Sequence, residues 1–125
     1  SDEVHKSSMQ KVRTVIELSE TTTERLMYAF PPPVAPSVKW DVVGTHVIIH
    51  NGPLSSAPMA KDLVSLGDTV TMKVIGTSTN SSVAALRMEA ITSDLRSEFG
   101  VTHLVLYKRP GSRTEDSNQI KTWRR

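Results

Sequence analysis

The chain has no cysteine in its 125 residues. That absence excludes a disulfide framework, thiol catalysis and a cysteine-ligated zinc, and it fits an intracellular protein of the cytoplasm or nucleus. No apolar run approaches the roughly 18 residues that a spanning helix needs, and the N-terminus lacks the charged-then-apolar pattern of a signal peptide. The chain is therefore expected to stay off the membrane. There is no low-complexity segment and no strict internal repeat beyond one pair of short strands. The chain opens on Ser1 rather than Met, as a processed product or a domain of a larger protein would.

What is present amounts to one domain, residues 1–125, long enough for a single core and too short for two. The net charge is only +2, but it is unevenly placed. From Val101 onward Lys108, Arg109, Arg113, Lys121, Arg124 and Arg125 oppose only Glu115 and Asp116, a surplus of +4. In the first thirty residues Lys6, Lys11, Arg13 and Arg25 face Asp2, Glu3, Glu17, Glu20 and Glu24, a balance of −1. A basic C-terminal part attracts phosphate-bearing partners at long range. A solvated, soluble tail is the plainer use of the same charges.

The hydrophobic spacing divides the chain into a helical segment over 1–30 and a β-rich body over 37–125 with a basic tail. Met9, Val12, Val15 and Ile16 recur at spacings of three and four, which predicts an amphipathic helix over roughly residues 8–20. Thr21 with Glu24 three residues later forms a capping box for a second short helix through Met27 and Tyr28. Pro31, Pro32 and Pro33 stop it, and Pro36 extends the connector. Val38, Trp40 and Val42, then residues 45–50, read as strand, closed by the turn Asn51-Gly52-Pro53. A brief helix capped by Ser55 or Ser56 is expected through Ala60 and Leu63. Residues 69–75 alternate as a half-buried strand and pair with residues 83–91 as a hairpin, although Ala84-Ala85-Leu86 alone suits a helix as well. A short helix or turn over 92–99 ends at Gly100.

The chemistry rests on the paired strands Thr45-His46-Val47-Ile48-Ile49 and Thr102-His103-Leu104-Val105-Leu106. Side chains alternate along a strand, so His46, Ile48 and His50 share one face, and His103, Val105 and Tyr107 share one face of the other. If the strands lie side by side, the two imidazoles converge. One neutral and one protonated histidine can divide phosphodiester cleavage, the first activating water and the second protonating the leaving oxygen. No metal and no cofactor is needed. His46 and His50 are poor metal partners, because four residues along a strand span about 13 Å.

The order of a strand with His46, a short helix, a hairpin whose return strand reads Ala85-Leu86-Arg87-Met88-Glu89, and a second strand with His103 resembles the two-histidine (2H) phosphoesterases. The likeness is greatest to the cyclic phosphodiesterase domains of RNA ligation and RNA end repair. It covers roughly residues 28–123, with Asp116-Ser117-Asn118-Gln119-Ile120 and Trp123 as the tail that follows the second histidine strand. It implies an α+β fold, with N-terminal helices packed on a mainly antiparallel sheet whose concave face carries His46 and His103 as the catalytic pair. It also implies an RNA end bearing a 2′,3′-cyclic phosphate as substrate. Tyr107, Lys108 and Arg109 are the candidate substrate-binding residues, Tyr107 by stacking a base, with packing in the core as its plainer use, and the two cations by holding phosphate. The family's motif, His-x-Thr/Ser-x, is broken here. Ile48 and Val105 stand at the hydroxyl positions, and each lost donor to a charged group costs roughly 1.5–3 kcal/mol.

Two further classes fit the same residues. One is a non-catalytic module that binds RNA or a nucleotide phosphate through the same fold. The other is a protein-interaction domain that docks on a larger enzyme. For single residues the plain assignments are a core position for Trp40, a tail anchor for Trp123, a turn-proximal surface position for His50 and a terminal one for His5.

Overall fold

A computed structural model describes residues 13–33, 39–91, 93–114, 117, 120 and 122–124. It shows an α+β architecture, with one helix and a six-stranded sheet among the described residues. In chain order the elements are β1 (Thr14–Glu17), α1 (Glu20–Ala29), β2 (Asp41–Val42), β3 (His46–His50), a 3₁₀ turn (Leu54–Ser56), β4 (Met72–Thr79), β5 (Val83–Ala90) and β6 (His103–Lys108). The sheet order is β1-β3-β6-β5-β4, with the short β2 also on β6, and every pairing is antiparallel.

The N-terminal part corrects the helical expectation. Thr14–Glu17 is an edge strand on β3, pairing Ile16 with Val47 and Glu17 with His46. Val15 and Ile16 are β-branched and suit a pleated surface, and the ladder on β3 overrides the helical spacing. The rest of that expected helix, residues 8–12, lies outside the described residues. The second expected helix is α1, but its cap is Ser19, whose Oγ accepts from the Thr22 amide at 3.2 Å. Phe30 ends it just before the prolines, its amide donating to Leu26 O at 2.7 Å.

The expected 55–63 helix is only the Leu54–Ser56 3₁₀ turn followed by turns. The β4–β5 hairpin is present, starting at Met72 rather than Thr69. The Pro36 connector and the strand position of Val38 lie outside the described residues, as does Thr92, and the remainder of 92–99 is turn and irregular backbone.

The core lies on one face of the sheet. Val47 and Ile49 of β3, Leu86 of β5 and Leu104 and Leu106 of β6 are buried together, with Leu26 and Met27 of α1 and Leu54 and Val64 of the following loop packed against them. Each such aliphatic side chain contributes about 1.5–3 kcal/mol when removed from water. Gly44 allows α1 to approach β6, because a Cβ there would lie 2.7 Å from Thr23 Cγ2 and 3.0 Å from Leu106 Cδ1. Thr23 Oγ1 also donates to Gly44 O at 2.6 Å and fixes that approach.

One irregularity decides which residues reach the other face. Ala84 pairs with Tyr107 and Ala85 with Val105, so Leu106 is the extra residue of a bulge. The bulge breaks the two-residue alternation, and Tyr107 follows Leu106 into the core instead of following Val105.

Candidate functional site

The register Val47↔Leu104 places both of those side chains in the core. Their strand neighbours therefore point the other way, with His46 across from Val105 and Ile48 across from His103. The two histidines are diagonal neighbours, with Cα atoms about 7–8 Å apart by sheet geometry. Both line one cleft of about 680 Å³, together with Arg13, Thr45, Ile48, Val105, Arg113 and Ser117. Ile48 and Val105 are thus in the cleft wall beside the imidazoles.

Each imidazole has a hydroxyl partner from outside the motif positions. Thr45 Oγ1 lies 2.9 Å from His46 Nδ1. Thr45 precedes β3, so strand alternation does not bind it, and it turns into the cleft rather than away from it. His46 is exposed, and Nε2 is the nitrogen left for the cleft. Thr102, in contrast, is buried and accepts from the Ser97 amide at 2.8 Å, holding the loop before β6.

His103 is half-buried and engaged at both nitrogens. A carbonyl only accepts, so Nδ1–H donates to Val101 O at 2.8 Å. Nε2 lies 2.6 Å from Ser117 Oγ, which is itself 2.7 Å from Thr114 O. Two proton arrangements satisfy this chain. A protonated His103 donates from Nε2 to Ser117, whose hydroxyl turns to Thr114 O. A neutral His103 instead accepts a hydrogen bond from the Ser117 O–H at Nε2, in place of the bond from that hydroxyl to Thr114 O. Trp123 packs on the same imidazole, ring centroids 5.8 Å apart and planes tilted by 47°. Trp123 is held there by the pairing of Arg124 with Thr77, and Gly76 permits it, since a Cβ at Gly76 would lie 2.9 Å from Arg124 O.

The other three candidate residues lie elsewhere. Tyr107 is only 2% exposed, and its phenol donates to Phe30 O at 2.6 Å, so of its two readings, base stacking and core packing, it takes the core one. Burial pushes its pKa up. Lys108 Nζ donates to Ser112 O at 3.2 Å, and Arg109 Nη1 to Ser81 O at 3.2 Å. Neither lines the cleft, whose arginines are Arg13 and Arg113. Arg113 belongs to the basic run that the charge count had picked out. Arg13, Thr45 and Ser117 carried no such signal, because a single arginine or hydroxyl has no spacing to read.

A third histidine, His50, ends the same strand. Its Nε2 lies 3.0 Å from Ser56 Oγ and its Nδ1 2.8 Å from Glu98 Oε1. The Asn51 amide donates to the same carboxylate oxygen at 3.1 Å. That amide first, and His50 second, hold the Glu98 carboxyl below its ordinary range. Among the described residues no group of three or more histidine, cysteine, aspartate or glutamate side chains is placed to hold a metal ion, and no helix is long and apolar enough to cross a membrane. Comparison with protein-family models, curated proteins and solved structures finds no match to this chain.

Proposed function

We propose that the protein is a metal-independent phosphodiesterase in which His46 and His103 divide acid and base catalysis, and that its substrate is an RNA end bearing a 2′,3′-cyclic phosphate. The observation that carries this reading is the placement of the two imidazoles on adjacent antiparallel strands, facing one cleft that also holds two arginines. His46 is the base. That role takes the tautomer in which Nδ1–H donates to Thr45 Oγ1, 2.9 Å away, and Nε2 is unprotonated toward the cleft. His103 is the acid, since the acceptors at Val101 O and Ser117 Oγ can hold both of its N–H protons.

In the reaction a water oxygen attacks phosphorus and gives its proton to His46, while the bond to one ribose oxygen breaks. The proton for that oxygen comes from Ser117, which regains one from His103 Nε2. Arg13 and Arg113 supply positive charge for the phosphoryl oxygens, and this offsets part of what Ile48 and Val105 do not provide. The basic C-terminal part draws the RNA strand toward the cleft.

The engagement of both His103 nitrogens favours a second reading, a phosphate-binding module that performs no chemistry. Hydrolysis of a short RNA with a 2′,3′-cyclic end, with and without EDTA, separates the two. Turnover that survives EDTA and falls by on the order of 10²–10⁴ in His46→Ala and in His103→Ala supports the enzyme. A folded protein that binds this RNA without turning it over is the binding module.

A further inference from the structure

The chain Ser56–His50–Glu98 has the arrangement that activates a serine, a hydroxyl on a base and the base on a third, orienting group. Ser56 Oγ is 3.0 Å from His50 Nε2, and Glu98 Oε1 is 2.8 Å from His50 Nδ1. The carboxylate oxygen lies off the ring N–H line, so this second contact is a close approach rather than an aligned hydrogen bond. An ionised Glu98 still favours the tautomer with its proton on Nδ1 and leaves Nε2 free to take the serine proton.

Three backbone features hold the group. The Glu98 amide donates to Ile49 O at 3.0 Å, and the Asn51 amide donates to the Glu98 carboxylate at 3.1 Å. Ser56 ends the 3₁₀ turn that begins at Leu54, and its hydroxyl donates to Pro53 O at 3.0 Å; rotation about the Cβ–Oγ bond turns that one proton to His50 Nε2 instead. Gly52 is what lets serine and histidine meet, because a Cβ there would lie 2.7 Å from His50 Nε2 and 3.3 Å from Ser56 Oγ. Ser56 itself is exposed and open to a reagent.

We propose that Ser56, His50 and Glu98 form a second, nucleophilic site that takes an acyl group from a small activated carboxylic ester. The Ser56 Oγ–carbon bond forms as the ester C–O bond breaks. The serine proton passes to His50 Nε2 and from there to the departing alkoxide, and water later releases the acid. Nothing in this step depends on the His46–His103 cleft.

The test is labelling of the intact chain with an alkyl fluorophosphonate, mapped by mass spectrometry. The reagent forms a Ser56 Oγ–phosphorus bond as P–F breaks, fluoride leaves and the proton goes to His50. The expected result is a single adduct on Ser56 that is lost in urea and in Ser56→Ala. Its rate in the unmodified protein should rise with pH along a single ionisation, and should fall by on the order of 10² in His50→Gln. No adduct, an adduct elsewhere such as Ser117, or a Ser56 adduct formed at the same rate in urea overturns the proposal. The urea comparison and the pH profile use the unmodified protein, so the outcome does not depend on how well a variant folds.

Discussion

His46 and His103 on one side, and His50 on the other, are three imidazoles with the same chemistry and three different neighbours. His46 meets a hydroxyl, His103 a main-chain carbonyl and a hydroxyl, and His50 a carboxylate. The first two face a shared cleft from adjacent strands, where a single ligand can touch both. The third sits at the strand end, tied into the turn at 51–56 and the loop at 97–99. The partner, more than the histidine, sets what each can do. A carboxylate on Nδ1 suits a base for a neighbouring serine. A cleft with two imidazoles and two arginines suits a phosphodiester that needs a proton removed at one end and supplied at the other.

Removing the support shared by both regions should have the largest effect. Leu104 lies between His103 and Val105 and is fully buried under the cleft. Leu104→Ala should lower stability by about 2–5 kcal/mol, read by urea denaturation. The contrast sharpens if a donor is returned to the cleft wall. Ile48→Thr should strengthen phosphate binding by about 1.5–3 kcal/mol, measured by calorimetry, and leave fluorophosphonate labelling of Ser56 unchanged. Tyr107→Phe should cost about 1 kcal/mol through the lost bond to Phe30 O, with cyclic-phosphate turnover retained, because that ring is in the core rather than in the cleft.

Glu98 provides the smallest effect, and its sign follows from its partners. Its carboxyl is held low by the Asn51 amide and then by His50. The stabilisation is present above the unfolded carboxyl's range and is lost as pH falls through the lower folded value. Glu98→Gln should flatten the acid limb of a plot of Tm against pH and leave the neutral region nearly unchanged.

The strand pattern showed much of this in advance. Alternation placed His46 with Ile48 and His103 with Val105, and these four side chains do line one cleft. The hairpin of β4 and β5 and a mainly antiparallel sheet were also legible. What failed was whatever depends on contacts distant in sequence. The Val15 and Ile16 spacing suits a helix as well as a strand, and only β3 decides between them. The Leu106 bulge is a property of pairing with β5 and not of residues 103–108 alone, so Tyr107 could not be placed by counting. Ser117 and Glu98 reach their histidines across 14 and 48 residues, and no local period marks such pairs.

The most direct test of the two-histidine cleft is to follow the imidazole resonances of His46, His103 and His50 by NMR while inorganic phosphate is added. His46 and His103 are expected to shift together along one binding curve while His50 stays in place. A response from only one of the cleft pair, or two curves with different midpoints, would contradict a single site held by both.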